Sequence, residues 1–186
     1  RVTHRNNRWH ISFTTPPAAK IVSRTTTAVG IDRGVANTIA TSDGTMIQAP
    51  GLSATEQRRF LVLQQRLARQ RKGSRRRKAT LDRLSVMRRR LNDRRTDWVE
   101  QTTTTLASTY HLIAIEDLRI TNMVRRPKPN PDPEQPGVFL PNGARAKAAL
   151  NKAILASCWG AFSTRLENKM PDGNLIRVNP RNTSRT

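Results

Sequence analysis

Two carboxylates in this chain close β-branched runs: Asp32 ends Ala28-Val-Gly-Ile-Asp32, and Glu116 ends His111-Leu-Ile-Ala-Ile-Glu116. Carboxylate oxygens are the ligands that Mg²⁺ and Mn²⁺ prefer. Two such ions about 3.5–4 Å apart can activate an attacking water and stabilise the leaving oxygen of a phosphodiester. The chemistry implied is metal-dependent phosphodiester hydrolysis, with Asp32 and Glu116 as candidate catalytic and metal-binding residues. Both acids have plainer readings. Asp32 can be a turn former ahead of Gly34, and neighbouring Asp117, which faces the other way along a strand, reads as a structural or capping acid. No convincing third acid follows, since Glu167 and Asp172 flank a helix end and a turn.

The elements that must position these acids follow from periodicity. Trp9, Ile11 and Phe13 alternate with polar residues over 8–15, the period of a half-buried strand, which Pro16-Pro17 should end. Strands are expected at 27–32, 35–41 and 45–49, the last two joined by the hairpin signal Asp43-Gly44. Over 56–109 the period becomes helical: Phe60, Leu63 and Leu67 form one stripe, and Leu84, Met87, Leu91, Trp98 and Leu106 a second, with a break at Lys72-Gly73-Ser74. The apolar run 111–116 reads as a buried strand, and proline-rich 124–143 as an irregular loop. A helix is expected over 145–168, with Ala149, Leu150, Ala153, Ile154, Trp159, Phe162 and Leu166 on its buried side, and a last strand over 174–178. This is an α/β pattern, a mixed five-stranded sheet that begins antiparallel and then crosses over. If the strands carrying the two acids are adjacent and parallel, as a right-handed crossover places them, Asp32 and Glu116 face one another at their carboxyl ends.

Charge points to the partner. The 186 residues hold 34 Lys and Arg against 13 Asp and Glu, a net charge of +21, which predicts a phosphate-rich ligand. Arg heavily outnumbers Lys, which suits bidentate phosphate contacts. Residues 56–95 alone carry sixteen basic residues against three acids. Arg58, Arg59, Arg66, Arg69, Arg71, Lys72, Arg75, Arg76, Arg77, Lys78, Arg88 and Arg89 are the candidate nucleic-acid-binding residues, whose contacts would give affinity more than sequence readout. A basic helical face that is merely solvated is the plainer alternative, but so large an excess repels itself without a counter-ion.

Other features narrow the class. The single cysteine, Cys158, excludes an internal disulfide and a cysteine-built zinc site within these residues, and reads as a small buried apolar group in a reducing compartment. Trp98 and Trp159 fall on helical stripes and read as core. No run approaches the roughly eighteen apolar residues of a membrane span. The chain opens on Arg1 and closes on Thr186 without a helix stop, and so is expected to be a segment of something longer.

At the motifs themselves a family likeness appears. Val29-Gly-Ile-Asp-Arg-Gly34 with Ala40-Thr-Ser-Asp-Gly44 resembles the first RuvC motif of the TnpB-type (OrfB) transposon-encoded RNA-guided nucleases, relatives of the compact type V CRISPR effectors. Ile113-Ala-Ile-Glu-Asp-Leu118, with Met123 beyond it, is similar to their second motif. Arg69-Gln-Arg-Lys-Gly-Ser-Arg-Arg-Arg-Lys78 and Asp93-Arg-Arg-Thr-Asp-Trp98 resemble the family's basic helical stretch. Ser157-Cys-Trp-Gly-Ala-Phe162 and Val178-Asn-Pro-Arg-Asn-Thr-Ser184 resemble the approach to its zinc ribbon. Arg33 departs from the apolar residue usual after the first acid.

The resemblance implies an RNase H-like (RuvC) core over 27–186, with a basic helical insertion over 53–109 and the proline-rich loop at 124–143. Residues 1–26 would be the closing strand of a preceding wedge domain plus a linker. Asp32 and Glu116 would be the first two catalytic carboxylates, holding Mg²⁺ or Mn²⁺. The third catalytic Asp and a Zn²⁺-binding ribbon would follow residue 186, and without that Asp the segment alone is expected to be inactive. Guide RNA and target DNA, met as an RNA–DNA heteroduplex, would be the partners, with no membrane, in a prokaryotic cytoplasm at the nucleoid. A guide-dependent DNA binder with an inactive nuclease site, and a guide-independent RNase H-like nuclease, remain the alternatives.

Overall fold

Val29 and Ile31 on one run, and Ile113 and Ile115 on another, are spaced at the two-residue period of a strand. In the computed structural model of the chain all four are buried. The structure describes residues 1–5, 8–14, 19–135 and 137–181. The expected stop at Pro16-Pro17, and Asn182-Thr-Ser184 of the last resembling motif, lie outside them. The chain divides into two compact units, Arg1–Ala19 with Pro50–Trp98, and Lys20–Ala49 with Val99–Thr186.

The second unit is built on a five-stranded sheet of β3 (Ala28–Asp32), β4 (Ile39–Thr41), β5 (Met46–Ile47), β6 (Leu112–Glu116) and β7 (Leu175–Val178), in the order β5-β4-β3-β6-β7. The β3–β4 and β4–β5 pairs are antiparallel, whereas β3–β6 and β6–β7 are parallel. The mixed sheet and the parallel adjacency of the two acid-bearing strands are therefore as the sequence predicts. The core face carries Ile39, Val29, Ile31, Ile113 and Ile115, and buried with them in this unit are Trp159, Phe162 and Leu166. The Trp159 indole N–H donates to the Thr38 carbonyl at 3.2 Å.

Two expected strands are shorter than their apolar runs. β4 and β5 stop because side chains take over the pairing at their outer end: the Thr38 amide donates to Gln48 Oε1 (3.2 Å) and the Ala49 amide to the Thr38 hydroxyl (2.9 Å). The Asp43-Gly44 turn forms as expected, with Gly44 at φ +89°.

The helix expected over 145–168 is in fact two, α4 (Ala144–Ala156) and α5 (Trp159–Lys169). They are divided by Cys158 in the left-handed region at φ 57°, and Cys158 is half-buried rather than buried. The kink lets α5 bury Trp159, Phe162 and Leu166 while Ala149 and Leu150 of α4 stay exposed, against expectation. The α5 end is anchored by Lys169. Its ammonium donates to the Glu100 carbonyl (2.7 Å), the Thr103 and Thr104 hydroxyls and the Glu100 carboxylate, which it holds below the usual carboxylate range. A one-turn helix, α3 (Ile120–Met123), follows β6 and was not foreseen; 124–143 is irregular as expected, apart from a bridge between Pro131 and Phe139.

The first unit holds a hairpin of β1 (Val2–Arg5) and β2 (Arg8–Ile11), α1 (Ala54–Arg69), and residues 75–98 of α2 (Arg75–Thr109), whose remainder belongs to the second unit. Ser53 and Glu56 form a reciprocal capping box at the start of α1. The break at Lys72-Gly73-Ser74 is present, with Gly73 at φ +82° and the Ser74 hydroxyl accepting from the Arg77 amide. Leu63 and Leu84 are buried. β1 was not foreseen, and the alternating residues of β2 do not form a half-buried face. Trp9 and Phe13 are 74% and 80% exposed, and Trp9 meets the His4 ring at 4.8 Å.

Two stability predictions follow from these local devices. A methyl at Gly34 would stand 2.9 Å from the Asn37 carbonyl oxygen, a backbone atom that cannot swing away, whereas one at Gly51 meets nothing within 4 Å. Gly34→Ala is expected to lower the thermal midpoint well below that of Gly51→Ala; equal midpoints would contradict the contact. The second concerns Asp43, whose carboxylate accepts from the Thr41 and Tyr110 hydroxyls and the Thr45 amide (3.1 Å), and is held well below the ordinary range by them. A carboxyl whose folded pKa is depressed contributes stability that is fully present above its unfolded value, about 4, and is lost as pH falls towards the folded one. Asp43→Asn is expected to lower the midpoint at neutral pH and to flatten its decline below about pH 4, measured by thermal unfolding at stepped pH.

Candidate functional site

Register decides what the two acids can do. Ile31 pairs with Ile115 across the parallel β3–β6 ladder, and one residue further along each strand stand Asp32 and Glu116. Period two turns both away from the core face, Asp32 exposed and Glu116 half-buried. Asp32 is flanked by Ala40 on β4, and Glu116 by Val178 on β7, so the acids occupy the middle of a row across the open face. Behind them in the same columns stand Gly30, which has no side chain, and Ala114, themselves a register pair.

Two hard carboxylate donors side by side suit Mg²⁺ or Mn²⁺, because Mg²⁺ usually keeps several waters and takes only one or two carboxylates. Among the described residues no three His, Cys, Asp or Glu side chains gather. Asp117 lies on the opposite face, 3.8 Å from Arg177, whose guanidinium also pairs with Glu167 at 3.0 Å. A cleft of about 630 Å³ opens past the end of β6, lined by Asp117, Arg119, Asn122, Arg177 and Asn179 among others.

Sequence reasoning did not include Arg33 in the site. It is 5% exposed, and a terminal N–H donates to the Glu116 carbonyl, while its Nε is buried without a partner. Burial lowers its pKa, against the opposing pull of Glu116, Asp117 and Asp32. The signal was present in the sequence, since Val29, Ile31 and Arg33 alternate and the period points all three inward.

In the first unit, Arg58, Arg59, Arg66 and Arg69 of α1, Arg71 and Lys72 of the connection, and Arg75, Arg76 and Lys78 of α2 are all exposed. Arg77 has a different task from the one its place in the basic run suggests. It is half-buried, and its guanidinium donates to the Leu67 (2.5 Å) and Gln70 (3.3 Å) carbonyls, satisfying the end of α1. Arg88 lies 5.5 Å over the Phe60 ring, and Arg89 is half-buried. Arg66 and Arg76 share a cleft of about 370 Å³ with Arg83, which sequence reasoning left out although it stands two turns after Arg76.

The chain is 30% identical over 183 residues to the "Putative RNA-guided DNA endonuclease InsQ" of Escherichia coli K12, covering 95% of this chain and 43% of that protein. It is 30% identical over 124 residues to a "Putative RNA-guided DNA endonuclease" of Streptomyces pristinaespiralis, covering 67% of this chain and 31% of the relative. The chain thus spans less than half the length of either. The family model OrfB_IS605, described as "Probable transposase", matches residues 10–126, a stretch that contains both Asp32 and Glu116. Matched over more than half of its length, the chain belongs to this TnpB-type OrfB family.

Proposed function

We propose that the chain is the nuclease core of an RNA-guided DNA endonuclease, an RNase H-like (RuvC) sheet whose Asp32 and Glu116 are the first two of its metal-binding catalytic carboxylates. The observation that carries this reading is the β3–β6 register, which sets those two acids on neighbouring strand ends of one sheet face. The relatives' names support the substrate and the guide. Bound Mg²⁺ or Mn²⁺ would supply a Lewis acid and an activated water for phosphodiester hydrolysis. Asp32 and Glu116 would hold that ion, with only Gly30 and Ala114 behind them in their columns on that face. The exposed arginines of α1 and α2 hold the RNA–DNA heteroduplex by its phosphates, while guide pairing reads the target sequence. Residues 1–26 close a wedge domain, 53–109 form the basic insertion, and a zinc ribbon with the third acid belongs to a following segment. The assembly works in the cytoplasm at the nucleoid. Among the described residues, no helix is long and apolar enough to cross a membrane.

A second reading, guide-dependent DNA binding without cleavage, is favoured by one observation, the buried Arg33 cation beside Glu116.

Two measurements test these readings on the protein assembled with its guide RNA. Asp32→Ala and Glu116→Ala are each expected to abolish Mg²⁺-dependent target cleavage and leave guide-dependent DNA binding unchanged; cleavage that survives either change excludes this site, and a parent that binds but never cuts selects the second reading. Replacing Arg66, Arg76 and Arg83 by Gln should weaken nucleic-acid binding and lessen its salt dependence, by about 0.7–0.9 in the log–log slope for each phosphate contact removed. An unchanged slope would remove the cleft from the interface.

A further inference from the structure

Arg33 is chemically out of place. Its backbone continues β3 directly after Asp32, its side chain turns to the buried side with Ile31, and its guanidinium reaches across to the carbonyl of Glu116. A buried cation is retained only where anions and acceptors surround it. Here one N–H has the Glu116 carbonyl, Nε has no partner, and the charges that favour the cation are Glu116, Asp117 and Asp32, with Arg177 opposing. Of the three acids that favour the guanidinium, Glu116 acts most strongly, then Asp117 and then Asp32, so both carboxylates that would coordinate a divalent ion contribute to it. Coulombic attraction is mutual. Whatever Asp32 and Glu116 contribute to Arg33 is diminished when their charge is shared with a metal, and the metal meets a fixed positive charge lying one residue's backbone from its ligand. Arginine does not relieve this by losing its proton at any ordinary pH.

We propose that Arg33 is a positioning residue that acts as a built-in counter-cation for the Asp32–Glu116 pair, keeping divalent-ion affinity low. Its donation to the Glu116 carbonyl also holds the end of β6 beside β3, so one side chain sets both the geometry of the pair and the strength with which it takes metal. Such a site loads fully only when additional negative charge arrives, and the phosphates of a bound nucleic acid strand are a source of it. Metal occupancy is thereby coupled to substrate, because the phosphates contribute the anionic character that Arg33 offsets. This inference rests on the reading of Asp32 and Glu116 as metal ligands.

The test is direct titration of Mn²⁺, followed by the loss of its free-ion magnetic resonance signal, on the parent, Arg33→Gln, Arg33→Met, Arg33→Lys and Asp32→Ala, each checked for its fold by circular dichroism. Arg33→Gln removes the charge and keeps an amide donor, Arg33→Met removes both while filling the space, and Arg33→Lys keeps the charge. The two neutral variants are expected to bind Mn²⁺ about tenfold more tightly than the parent, as removal of one nearby unit charge predicts, with Arg33→Lys close to the parent. Adding non-cleavable oligonucleotide should tighten Mn²⁺ binding in the parent and in Arg33→Gln by similar factors, so that only the strand-bound parent reaches the affinity that Arg33→Gln has without the strand. Folded neutral variants that bind no more tightly than the parent would overturn the proposal while leaving the metal site intact. Failure of both to fold would make Arg33 a structural strut and overturn it as well. Mn²⁺ binding that Asp32→Ala leaves unaltered would defeat the metal-site reading itself, and with it this inference.

Discussion

The candidate site of this chain depends on the parallel pairing of β3 with β6. The two strands are far apart in sequence: Arg33 and the Glu116 carbonyl it binds are separated by 83 residues. Closing so long a connection carries an entropic cost that grows only slowly with length, and burial of Val29, Ile31, Ile113 and Ile115 together on the core face offsets it. The apolar side of the ladder fixes the register, and the register sets the acids. Asp32 and Glu116 inherit their juxtaposition from isoleucines that have no part in chemistry.

The same strands place opposite requirements on their two faces. On one face lie the packed isoleucines, with Arg33 and Arg177 at its margin; on the other, small residues lead up to the carboxylates. Arg177 is compensated by Glu167 and Asp117. Arg33 is favoured by Glu116, Asp117 and Asp32, so a buried cation and the two acids of the candidate site draw in part on the same charges. The basic unit shows the complementary situation. Its arginines greatly outnumber its acids, and some of them hold its helices: Arg77 on the α1 carbonyls, Arg95 on the Pro50 carbonyl and Arg94 on Glu56.

Much of the architecture was legible from period alone. The β3 and β6 runs, the Asp43-Gly44 turn and the helix break at Gly73 each rest on a local signal, an alternation or a residue suited to positive φ. What escaped depended on partners remote in sequence. The apolar stripe over 145–168 is continuous, yet α5 must turn under the sheet where α4 does not, and Cys158 absorbs the change in direction. Arg77 looks like its neighbours until the carbonyls of α1 are placed next to it. The alternation Trp9-Ile11-Phe13 begins in a strand that ends at Ile11, but alternation reports a face and not what covers it.

The sequence by itself determined the kinds of element, the two acids at strand ends, the concentration of positive charge between them and the family to which these motifs belong. Only the tertiary structure decided that Asp32 and Glu116 share a row and a face, and that Arg33 stands buried beside the pair. The reason is the two-residue period of a strand. A slip of one residue between β3 and β6 would turn one acid into the core and bring its neighbour out, and no local pattern in either strand states which register the other will take.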